Sequence, residues 1–123
     1  LKAACRQLAE ASKVDILLSP ERIPIHPVAR DVAKVFNVDP LALGVGDSVD
    51  FRLLFSVSKS KVQDVWQAFS EQSWPLYEIG RIEASADRPG VFLEQGDKRT
   101  PLPGVEWAQS ETLAIDDLRK QAL

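Results

Sequence analysis

The stretch from Asp39 to Val57 constrains the fold most, because its second half alternates Phe51, Leu53, Phe55 and Val57 with Arg52, Leu54, Ser56 and Ser58. An extended segment of this kind places every second side chain on one face, so the spacing predicts a core strand with one wholly apolar side. Its first half differs. The apolar run Leu41 to Val45 is broken by Gly44 and Gly46 and passes through Asp47, Ser48 and Asp50 before the predicted strand begins. Small and acidic groups beside a buried element mark the place where a site would be built.

The rest of the chain has the size of one domain: 123 residues, 45% hydrophobic and 27% charged, enough for a single core. The 15 basic and 18 acidic residues are interspersed and sum to a net charge of −3, so no basic field points to nucleic acid or to anionic lipid. No apolar run approaches the roughly 20 residues of a membrane span, and the start lacks a signal-peptide pattern, so a cytoplasmic location is expected. A single cysteine, Cys5, excludes an internal disulfide and falls on the apolar side of a helical pattern, where a buried structural thiol is expected. His26, the one histidine, precedes Pro27 at a helix entry and is expected to cap or pack. The chain has no methionine and begins at Leu1, which is the expectation for a piece of a longer polypeptide.

Taken in order, Leu1, Ala4, Cys5 and Leu8 form one side of an uncapped amphipathic helix over residues 1 to 12. Val14 to Leu18 reads as a short strand, Ser19 to Arg22 as a turn, and Ile23-Pro24-Ile25 as an edge or irregular segment. From Pro27, the residues Val28, Val32, Val35 and Phe36 recur at helical spacing, and the helix ends by the Asn37 to Pro40 turn. Ser60 and Gln63 have capping-box spacing ahead of a stripe of Val62, Val65, Trp66 and Phe69, a helix expected to lie on the sheet, with Trp66 in the core. Leu76 to Ala84, with Gly80 as a bulge or close backbone approach, Val91 to Glu94 and Lys98 to Leu102 read as an antiparallel meander. Beyond Leu102-Pro103-Gly104, Ser110 is placed to cap a last helix carrying Ala114, Ile115, Leu118 and Ala122. The expected fold is α+β, a mixed β-sheet with helices packed on one face.

Of the segments with chemistry, Gly44-Val45-Gly46-Asp47-Ser48 faintly suggests a phosphate loop but lacks the lysine and the helix that follow one. Asp47 and Asp50 are carboxylates of the kind a divalent cation takes, yet two of them in a loop do not define a site. Asp116 and Asp117 read as a solvated helix face. Trp107 follows a Pro-Gly break, where its ring either stacks on a planar ligand or anchors a tail on the core.

Read as a whole, the sequence resembles the C-terminal domain of the thiamine-monophosphate kinases, in the aminoimidazole-ribonucleotide-synthetase-related superfamily. Ala9-Glu10-Ala11-Ser12 is similar to the family's AEAS helix end and Ile23-Pro24-Ile25 to its IPLS segment. Asp39 to Phe55 aligns without a gap on DPLALALSGGEDYELLF, Tyr77 to Ile82 is similar to the IGRV strand, and Leu102-Pro103-Gly104 to the closing LPGGGYDHF. The match covers about 110 residues, all but the final helix.

The resemblance implies an AIR-synthase-related C-terminal domain spanning residues 1–123 and belonging to a longer chain, a homodimer in the family. There the N-terminal ATP-binding domain is the partner that supplies the ATP and Mg2+ ligands, and the γ-phosphoryl of ATP passes to thiamine monophosphate. Leu1 would follow directly on the family's SDG motif, so this segment is expected to hold no catalytic and no metal-binding residue. What it would hold is the substrate side, contacting a small phosphorylated molecule through Asp47, Ser48, Val49, Asp50 and Trp107. The sequence departs from the family here. Val49 stands where the family has the substrate-contacting glutamate, Arg52 replaces the second glutamate, and Ala108, Gln109 and Ser110 follow Trp107 in place of the family's residues. The alternatives are a catalytically silent binding or assembly module of the same fold, a paralogue acting on another phosphorylated or ATP-activated substrate, and a related ATP-dependent enzyme of amidine-forming or selenophosphate type.

Overall fold

The computed structural model describes residues 1–46 and 52–103. Helix α1 spans Lys2–Ser12 and ends on Lys13 in the left-handed conformation, whose amide returns to the Ala9 carbonyl. It leads into strand β1, Val14–Leu18. A 3-10 turn, Pro20–Arg22, carries the chain to helix α2, Pro27–Phe36. The imidazole Nδ1 of His26 caps α2 by accepting the Val28 amide at 3.2 Å, and Asn37 closes the helix at φ 52°. Helix α3, Pro40–Val45, follows. After the turn Lys59–Lys61 come helix α4, Val62–Glu71, and strands β2, Gly80–Ala84, β3, Val91–Gln95, and β4, Lys98–Pro101.

The sheet order is β2-β1-β3-β4, with β1 antiparallel to β2, parallel to β3, and β3 antiparallel to β4. The α+β reading with a mixed sheet holds. The meander does not: β1 enters between β2 and β3, so only the β3–β4 hairpin keeps the expected pairing. Strong turn residues at 88–90 suggested a hairpin, but the most apolar strand, with Ile16, Leu17 and Leu18 all nearly inaccessible, takes the centre.

Side chains two apart along β1 share a face. Ile16 and Leu18 meet Cys5 and Ala9 of α1, Val45 of α3, and Ile23, Leu93 and Leu102 in one core, which is the helix-covered face. Burying a leucine of this kind contributes about 1.5–3 kcal/mol. The alternate face carries ion pairs: Arg81 reaches Glu83 at 2.8 Å and Glu94 at 2.9 Å, and Arg99 reaches Glu83 at 2.7 Å. Leu17, opposite Arg81 and Phe92 in the ladder, is 1% exposed on that face.

Two glycines mark close approaches. A Cβ on Gly80 would stand 2.1 Å from the Leu17 carbonyl oxygen, so the expected close approach is real. One on Gly44 would stand 2.9 Å from Ile25 Cγ1, so this residue belongs to the packing of α3 against residues 23–25 rather than to a flexible turn.

The helices depart from expectation in how they face the core. In α1 the buried residues are Cys5 and Ala9, while Ala4 is exposed. Helix α2 buries Ala33, and its valine stripe, Val28, Val32 and Val35, is exposed. Helix α2 packs against α3, and a periodic apolar stripe does not by itself say which face of a helix meets its neighbour. Helix α4 buries no residue fully, and Trp66, expected in the core, is 38% exposed. The capping box at Ser60 and Gln63 does not form, because the chain enters α4 through the 3-10 turn with Lys61 at the cap position.

Candidate functional site

The expected substrate contacts Asp47, Ser48, Val49 and Asp50, together with Trp107 and the last helix, lie outside the described residues. Their surroundings are described on both sides. Asp39 accepts the Leu41 amide at 2.9 Å and starts α3 one residue before Pro40, which favours the first helical position. Sequence periodicity missed this helix because it has six residues, too few to show a repeat. It ends with Val45 fully buried in the core, and the Gly46 carbonyl then accepts the amino nitrogen of Leu1 at 3.4 Å. On the far side Leu54 packs against the same core. Val45 and Leu54 thus moor the two ends of the 47–51 connection to one hydrophobic cluster, beside the N-terminal end of α1.

The strand expected over residues 51–57 is corrected. Residues 52–58 lie outside the sheet, and Leu54 rather than Leu53 turns to the core: Leu53 is 81% exposed and Phe55 39% exposed, while Val57 is half-buried. Shifting an extended segment by one residue exchanges its faces, so alternation alone identifies the two sets without saying which is inside. Phe55 is held by α4, its ring 6.0 Å from that of Phe69, and Phe69 meets Trp74 edge-on at 5.8 Å.

The thiol of Cys5 is inert chemically. Burial pushes it up to about 11, because a thiolate would lose its hydration in the core. Across the sheet, hydrogen bonds from Arg99 and Arg81 hold the Glu83 carboxyl below the usual range, as expected of exposed ion pairs. A shallow cleft of about 470 Å³ lies at the C-terminal end of α1, lined by Glu10, Lys13, Ser85, Asp87 and Pro89. It stands a helix length, roughly 16 Å, from the Leu1 to Gly46 contact. Its charged residues are exposed and of mixed sign, and the Ser85 hydroxyl beside it is buried without a partner. Among the described residues no three His, Cys, Asp or Glu side chains converge as a metal-ligand set, and no helix is long and apolar enough to cross a membrane.

Comparison with known proteins relates the chain to the thiamine-monophosphate kinases. It is 26% identical over 101 residues to the thiamine-monophosphate kinase of Pyrococcus horikoshii and 28% identical over 101 residues to that of Pyrococcus abyssi. Each match covers 82% of the chain, and the chain spans 28% of the length of each relative. No family model matches the chain, and no solved structure matches it significantly.

Proposed function

We propose that this chain is the substrate-side domain of an ATP-dependent phosphotransferase of the thiamine-monophosphate kinase type. In this reading a further ATP-binding domain of the same polypeptide holds ATP and Mg2+, in a cytoplasmic protein that forms a homodimer. The catalytic groups belong in this reading to the ATP-binding domain, and the role of this one is to present residues 47–50 and Trp107 to a small phosphorylated molecule. Phosphoryl transfer depends mainly on positioning and charge neutralisation, so a domain that only positions the acceptor still contributes to rate. The observation that carries this reading is the ungapped likeness of Asp39 to Phe55 to the family's substrate motif, joined to the similarity with the two archaeal kinases. The mooring of both ends of that segment on Val45 and Leu54 supports it, since a connection held at both ends costs less to order around a ligand.

A second reading, a binding or assembly module without catalysis, is favoured by one residue. Val49 stands where a carboxylate would accept a hydrogen bond or balance a charge, and valine does neither. Titration of thiamine monophosphate into the full-length protein and its Val49→Glu variant tests the assignment of the loop. A restored contact of about 1–3 kcal/mol corresponds to a gain of roughly 5- to 150-fold in affinity. Equal affinity of the two proteins would show that Val49 does not face this substrate.

A further inference from the structure

We infer that the exposed valine stripe of α2 is the dock for this chain's own last segment, residues 111–122, laid antiparallel along it. The inference stands apart from the reading of the reaction. Helix α2 packs against α3 and buries Ala33, with Ala29 and Phe36 half-buried beside it. The valine stripe contributes little to this packing, Val28 being 60% exposed and Val35 77% exposed. Residues at i, i+4 and i+7 line one side of a helix, and an apolar seam of this spacing is what one helix offers another.

Spacing and reach select the occupant. The last segment lies outside the described residues, and its sequence places Ile115, Leu118 and Ala122 on one side of the expected helix, with Ala114 beside them. Read backwards, Ala122, Leu118 and Ile115 step by four and then by three, as Val28, Val32 and Val35 do read forwards. An antiparallel pair therefore sets Ala122 beside Val28, Leu118 beside Val32 and Ile115 beside Val35. The parallel pair with matching steps would set Glu111 against Val28. Leu102, next to the last described residue, is buried in the same cluster as Ile23, four residues ahead of α2. Residues 104–110 between them and the segment span at most about 25 Å, roughly twice the radius of gyration of a domain of this size. A short tether holds its segment at an effective concentration on the order of millimolar, so a seam too weak to join separate molecules closes within one chain.

The test reads register and release in the whole chain. Helices packed with axes roughly 8–10 Å apart bring facing residues within disulfide range. Under mild oxidation the double variant Val32→Cys, Leu118→Cys should therefore close a disulfide within the monomer. Val32→Cys with Leu113→Cys, a position on the far side of the expected helix, should stay reduced. The buried Cys5 does not compete. Val32→Glu, a change on an exposed side of α2, should release the segment and speed tryptic cleavage after Arg119 and Lys120 about tenfold, since cleavage follows the population of the open form. Four results would each overturn the inference: no disulfide between positions 32 and 118, equal cross-linking of the two cysteine pairs, covalent dimers in place of closed monomers, or a cleavage rate that Val32→Glu leaves unmoved.

Discussion

Asp15 on β1 accepts the backbone amide of Gly90 at 3.0 Å, while the Ile16 amide donates to the Gly90 carbonyl at 2.9 Å. The two bonds grip the residue immediately ahead of β3 and set the start of the parallel β1–β3 ladder, in which Ile16 stands opposite Val91. Parallel strands have no hairpin to fix their register, so a side-chain clamp at the entry does that work here.

Replacing Asp15 by Ala is expected to leave the Gly90 amide without its acceptor in a partly buried position. The cost should be about 1–3 kcal/mol, read as a lower midpoint in urea at unchanged slope. Asp15→Asn, which keeps an acceptor oxygen, should recover most of the loss.

The contact of Gly80 with β1 is tighter still. Any side chain at this position meets the Leu17 carbonyl, so Gly80→Ala must push β2 away from β1 along the register Leu18 to Gly80. Overpacking of this kind typically costs about 1–3 kcal/mol, more where backbone must move. Thermal unfolding should show the loss, and amide exchange should show it concentrated in β1 and β2.

Cys5 should resist thiol reagents in the folded protein and react at once in denaturant. Its thiol is pushed up to about 11 from the ordinary value of 9.0, so the folded state holds the proton more tightly than the unfolded chain. The associated stability is fully present below pH 9 and is lost as pH rises through about 11. Cys5→Ser, which removes this group, should flatten that part of the pH–stability profile while lowering stability at neutral pH.

Much of the scaffold was legible because its residues obey short-range rules. Pro27 and Asn37 bracket α2, Val14 to Leu18 is β1 to the residue, and His26 and Cys5 do what their positions suggested. The failures have a common cause, in that they depend on partners distant in sequence. The order β2-β1-β3-β4 is decided by which strand is apolar enough for the centre, and the outward valines of α2 by how that helix packs on α3. The reversal of Leu53 and Leu54 is of the same kind, since one residue of register decides it. Of the candidate site, the sequence named residues 47–50 and Trp107, and the structure describes the anchors Val45 and Leu54 on either side.

The central claim is that this domain serves a phosphoryl transfer to thiamine monophosphate, and phosphorus NMR of the full-length protein with ATP, Mg2+ and thiamine monophosphate tests it most directly. The expected result is loss of the ATP γ-phosphate signal matched by appearance of thiamine diphosphate, dependent on Mg2+. Folded protein that leaves both substrates unchanged would contradict the claim and leave the binding-module reading in its place.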